Sequence, residues 1–122
     1  MIEKLLRRFV KHEDIGWKEL QEKFTRYLVW ESRWFNIFIH QMYAPIAPPK
    51  CHDHPWSFVS FVLRAGYLES TDGVGFFFRR PGTILYRKAE HAHTVMTRPG
   101  QTAWSLVITG PARRKWQNKD CR

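Results

Sequence analysis

A chain of 122 residues fits one domain, and at that size about two thirds of the surface of the unfolded chain should become buried. Hydrophobic residues at 43% and aromatics at 16% exclude a disordered polymer. Net charge is +9, and the two cysteines, Cys51 and Cys121, give no disulfide framework, so reduced thiols are expected.

The longest apolar stretches, such as Ser57 to Leu63, fall well short of the ~20 residues a membrane-spanning helix needs. The opening Met1 to Val10 mixes charge through its apolar positions and has neither an apolar core nor a cleavage site of a signal peptide, so a cytoplasmic protein is expected. From Arg79 onward there are ten basic residues against two acidic ones. A basic face of that kind attracts nucleic acid, phosphorylated metabolites or carboxylates. No aromatic-basic stacking motif or recognition helix accompanies it, so nucleic acid is not the expected partner. The expected account of the excess is a solvated surface with a loose basic stretch from Arg113 to Arg122, of which 117–122 is the tail beyond the barrel.

In chain order, Leu5, Leu6, Phe9 and Val10 recur at helical spacing, and Trp17, Leu20, Phe24 and Leu28 do so again after Asp14-Ile15-Gly16. A helical N-terminal segment is predicted over 1–25. Strands are predicted at Tyr27 to Glu31, Trp34 to Tyr43, Trp56 to Leu63, Tyr67 to Ser70, Val74 to Phe78, Thr83 to Tyr86, Ala92 to Met96 and Thr102 to Thr109. Short strands broken by Ala65-Gly66, Thr71-Asp72-Gly73, Pro81-Gly82 and Arg98-Pro99-Gly100 imply an all-β antiparallel sandwich or barrel over 26–116. The proline-rich Ala44 to Pro49 stretch is read as an extended lead into the histidines that follow.

Those histidines carry the chemistry. On a strand, side chains alternate faces, so His52 and His54 project to one side and Asp53 to the other. Neutral imidazoles suit Fe, Zn, Ni and Cu, and the pair offers two neighbouring coordination positions. His91 and His93 repeat the spacing on a later strand, and either could complete a metal site.

The stretch His52 to Val95 resembles the two-part signature of the cupin superfamily. His52-x-His54 is followed at the family's spacing by Gly66, and Gly82 stands eleven residues before His93. The resemblance selects His93 over His91 and implies a jelly-roll β-barrel. The chain is also similar to a group of small bacterial and phage cupin-like proteins, through His52 to Ser60, Gly66-Tyr67-Leu68-Glu69, Arg80-Pro81-Gly82 and Thr109-Gly110-Pro111. Where cupins place a Glu five residues after the second His, this chain has Val59. The implied ligand set is three neutral histidines, His52, His54 and His93, which resembles the iron centre of thiol dioxygenases.

Fe(II) is therefore the expected ion, with Zn, Ni or Mn as alternatives, and the expected activity is a non-haem iron oxygenase acting on a small anionic molecule. A +2 ion without a carboxylate ligand favours a substrate that supplies the negative charge. Tyr67 and Glu69 share a strand face and are candidate proton carriers, with Glu69 also a candidate fourth ligand. Arg87 is a candidate carboxylate clamp, and His40, Trp104 and Ser60 are candidate substrate contacts. Trp56 and Phe58 are expected in the core or the pocket wall. Competing readings are a metal-dependent isomerase, epimerase or lyase that polarises a carbonyl, and a non-catalytic binding module that uses its basic face. The resemblance also implies pairing of two copies through sheet contacts.

Overall fold

The structure is a computed structural model, and it describes residues 2–15, 24–43, 51–115 and 121. One short helix, α1 (Ile2–Phe9), precedes the strands β1 (His12–Ile15), β2 (Phe24–Glu31), β3 (Asn36–Tyr43), β4 (Phe58–Arg64) and β5 (Tyr67–Ser70). They are followed by β6 (Phe77–Arg79), β7 (Ile84–Arg87), β8 (Thr94–Met96) and β9 (Thr102–Thr109). Six strands form one sheet in the order β1-β2-β3-β9-β4-β7, and a smaller sheet has the order β6-β5-β8. All pairings are antiparallel, as expected of a jelly roll.

The second predicted helix is corrected where it can be seen. Phe24 and Leu28 lie on β2, paired with Met42 and Phe38 of β3, while residues 16–23 lie outside the described residues. Pairing along the whole length of β3 outweighs the weak helical spacing, and the aromatic and β-branched run Tyr27 to Trp30 favours the pleated form. β1 adds a further strand ahead of it, with His12 opposite Tyr27.

Two strand starts also move for local reasons. Trp34 is excluded from β3 by a turn in which Ser32 Oγ donates to Phe35 O (2.6 Å) and accepts from Phe35 N (3.1 Å). Val74 is excluded from β6 because Asp72 Oδ1 accepts from the amides of both Val74 and Gly75, at 2.8 Å each, the side-chain turn that Asp favours.

The chain passes from the larger sheet to the smaller through Ala65-Gly66, where φ is +65° and +74°. A Cβ on Gly66 would lie 2.5 Å from Arg79 O, so the position tolerates glycine alone. Gly66→Ala is expected to lower the melting temperature through both strain and clash, whereas Ala65→Gly should raise it by relieving about 1 kcal/mol of left-handed strain. Thermal unfolding of the two variants checks the pair.

Between the sheets Val62, Tyr67, Val95 and Ala103 form one apolar cluster, and Trp56, Phe58 and Val107 form another. β3, β9 and β4 send alternate side chains inward, and Ile37, Ile39, Leu106 and Ile108 fall on the outer face in register. Trp104 shares that outer face and stacks on Tyr27, with ring centres 6.2 Å apart.

Candidate metal centre and cavity

The segment Cys51 to Ser57 lies between the prolines that precede it in sequence and β4. His52 and His93 exchange both backbone hydrogen bonds (2.8 and 3.0 Å), so they form a directly opposed antiparallel pair with neighbouring side chains. The amide of His54 donates to Ala89 O at 2.9 Å, which holds this second imidazole on the same side. As the strand alternation predicts, Asp53 faces the other way. It is fully buried and receives Arg114 Nη2 at 2.8 Å.

The three imidazoles converge. His52, His54 and His93 are all buried, and one nitrogen from each lies within 4.8 Å of the others. Their ring centres are 4.8 to 5.0 Å apart, edge to face. His91 lies outside the cluster, its ring centre 6.5 Å from that of His93.

Glu69 stands behind His93. It is 1% exposed, and its Oε2 lies 2.7 Å from His93 Nδ1. Arg79 Nε donates to Oε1 at 3.0 Å, and Arg87 donates to both oxygens at 2.7 and 3.2 Å. Burial opposes ionisation of Glu69, but the hydrogen bonds from His93 and Arg87 outweigh it and hold the carboxyl well below the usual range. An ionised carboxylate only accepts, so Nδ1 of His93 carries a proton and Nε2 is the ring atom turned toward the other two histidines. That Nε2 lies 3.2 Å from Nε2 of His54. Two nitrogens each about 2.0–2.1 Å from a common ion stand at about this separation, so the donor set fits a divalent metal.

Burial, and then the neighbouring His93 and His52, push His54 well below the ordinary imidazole value. The ring is neutral and suited to ligation.

These histidines border a small cavity of about 60 Å³ that opens to solvent. Phe24, Trp56 and Phe58 supply aromatic wall, and Met42, Val95 and Val107 supply aliphatic wall. The remaining polar lining is His40, Ser60, Tyr67 and Ser105, with no Lys, Arg, Asp or Glu among the described lining residues. Burial and the nearby Glu69 charge push the Tyr67 phenol up to about 12, so it stays protonated at neutral pH.

The sequence-derived candidates thus separate. His40, Ser60 and Tyr67 reach the cavity with the three histidines. Glu69 braces His93 from behind, Arg87 is engaged by Glu69 and by Tyr86 O, and Trp104 lies on the outer face, so none of these three lines the cavity. Arg87 stands away from the cavity because β7 is the edge strand beside β4 and turns this side chain toward the carboxylate of β5.

The expectation of reduced thiols is corrected, and that of a loose basic stretch is corrected at Arg113, Arg114 and Cys121, while 116–120 and 122 lie outside the described residues. Cys51 and Cys121 are joined as a disulfide, their Cα atoms 5.7 Å apart. The chain after β9 runs back along the ligand segment: Gly110 N donates to Ser57 O and Arg113 N to Pro55 O, both at 2.9 Å. Arg114 then meets Asp53, and Arg113 pairs with Glu90. Sequence reasoning missed this strap and the Arg79–Glu69–Arg87 cluster. The available signal for the cluster was an acidic residue inside a strand sharing a face with Tyr67.

No protein-family model matches the sequence, and no curated protein matches it significantly. Solved structures do. The polyketide cyclase RemF from Streptomyces resistomycificus is 22% identical, with a TM-score of 0.75 over 92% of this chain and 81% of that one. A cupin-like protein from Thermotoga maritima is 11% identical, with a TM-score of 0.70 over 88% and 84%. The DMSP lyase DddQ from Ruegeria pomeroyi is 20% identical, with a TM-score of 0.59 over 71% of this chain and 46% of that one. No helix among the described residues is long and apolar enough to cross a membrane. At these identities the likeness concerns architecture alone, and with the antiparallel sheets and the inward histidines it establishes that this chain has the cupin fold with a three-histidine cluster able to hold a divalent metal.

Proposed function

We propose that the chain is a mononuclear metal enzyme, a non-haem Fe(II)-dependent oxygenase whose substrate reaches the ion through an anionic oxygen such as an enolate. The observation that carries this reading is the donor set: three buried imidazoles beside a cavity with no carboxylate among its described lining residues. When bound by such a set, ferrous iron supplies a Lewis-acidic, redox-active centre with positions left for substrate and O₂. His52, His54 and His93 hold the ion, and Glu69 fixes the ligating tautomer of His93. Trp56 and Phe58 exclude water from the approach, and Tyr67 offers a protonated phenol that can donate to a substrate oxygen.

A second reading, in which the ion polarises a carbonyl without redox change, is favoured by two neighbours described as a cyclase and a lyase. Elemental analysis of chelator-free protein, followed by oxygen-electrode assays with a panel of catechols and enolisable diketones, separates the two. Iron near one equivalent and substrate-dependent O₂ uptake are expected. Stoichiometric zinc, with no O₂ uptake after iron reconstitution, would move the assignment to the second reading.

A further inference from the structure

The ring of His40 packs in the sheet, but one of its nitrogens has no role there that its surroundings explain. It sits in the middle of β3, directly opposite Ser105 of β9, and both side chains line the cavity. Its ring is held between Phe24 and Phe38, with ring centres at 5.1 and 6.1 Å. Its Nε2 is buried and finds no hydrogen-bond partner among the described residues. Buried polar atoms are nearly always paired, and an orphaned one carries a desolvation cost of about 1–3 kcal/mol unless a ligand satisfies it. Burial and the nearby Arg26 hold the imidazole down to about 3, so it is neutral and offers one donor and one acceptor.

The cavity around it narrows the kind of molecule that could pair with it. Among the described residues no charged side chain lines the wall, so against that wall a substrate carboxylate, phosphate or ammonium away from the ion would be buried without a counter-charge. Three aromatic rings and three aliphatic side chains on the wall suit an apolar, ring-bearing molecule.

We propose that His40 is the second anchor of this cavity, hydrogen-bonding a neutral oxygen or nitrogen of an apolar, ring-bearing substrate whose only charge lies at the atoms that meet the ion. This rests on the metal-centred reading above. His40 is a positioning and specificity residue: it fixes how the ring lies while the three ligand histidines hold the reacting end. Ser105 beside it is a second short-range partner for the same group.

Two measurements on the full chain test the assignment. The first is thermal unfolding of the metal-free protein as His40→Phe, which keeps a ring between Phe24 and Phe38 and deletes the orphaned nitrogen. A residue kept for ligand binding is expected to melt at or above the parent temperature when so replaced. The second is titration of Co(II)-loaded protein with 4-nitrocatechol, an aromatic chelator carrying a distal neutral acceptor, alongside azide, which meets the ion alone. His40→Phe should weaken 4-nitrocatechol about three- to tenfold and leave azide unchanged, and His40→Gln should return most of the affinity. A drop in melting temperature on His40→Phe would assign the residue to the fold, and unchanged 4-nitrocatechol affinity would remove its role in binding; either overturns the proposal. A parent that takes up neither Co(II) nor azide would refute the metal-centred reading instead, and the melting comparison alone would then decide for or against His40.

Discussion

His93→Ala should abolish metal retention. Among the described residues His93 is the one member of the three-histidine group from the later segment, and without it only His52 and His54 would remain to hold the proposed ion. Loss of an outer hydrogen-bond partner alone costs about 10–100-fold in metal affinity, so loss of a ligand should cost more than about 100-fold. The parent should therefore carry close to one equivalent of metal after dialysis and the variant almost none. Metal addition should raise the melting temperature of the parent and leave that of His93→Ala unmoved, since a ligand stabilises only what it binds. His91→Ala supplies the control, because His91 stands outside the cluster and should leave both readings unchanged.

The second large effect is expected at Glu69. Its carboxylate is buried and shared by Arg79, Arg87 and His93, so Glu69→Ala leaves two guanidinium groups and an imidazole N–H without their acceptor. Breaking such a network costs about 3–5 kcal/mol, a large share of the 5–15 kcal/mol that stabilises a typical domain. A fall in melting temperature on the order of 10–20 °C should follow. Glu69→Gln keeps the shape but turns an N–H₂ toward donors, and because it also releases the tautomer of His93 it should weaken metal binding about 10–100-fold.

The same carboxylate sets an acid limit. Its folded-state pKa lies below the ordinary value of 4.5, so the unfolded chain takes up the proton more readily than the folded one. The stability it contributes is complete above that value and drains as pH falls below it. Urea titrations between pH 6 and 3 should show a steeper loss in the parent than in Glu69→Ala, which has already forfeited that contribution.

Local chemistry was readable from the sequence and long-range chemistry was not. The alternation that places His52 and His54 together spans three residues, and the turn at Ala65-Gly66 is a matter of two adjacent dihedral pairs. The aromatic and β-branched runs bounded by Gly and Pro likewise located most of the strands. Glu69, by contrast, meets partners 10, 18 and 24 residues away, and nothing in its neighbours signals which of them will arrive. The partner of Cys51 lies 70 residues further on. Phe24 and Leu28 misled in the opposite way, because a four-residue spacing is compatible with a helix until the facing strand is known. Arg87 and Trp104 have plausible side chains for a binding site, but the edge position of one and the outward parity of the other are properties of the assembled sheets.

The mutual amide pairing of His52 and His93 is a single ladder rung rather than part of a continuous strand pair. In the absence of bound ion, deuterium should enter those two amides through small local openings, well before the centre of β9 exchanges. Loading the three imidazoles would tie both sides of that rung together, so the ratio of the two exchange rates becomes a site-specific gauge of occupancy that needs no knowledge of the reaction.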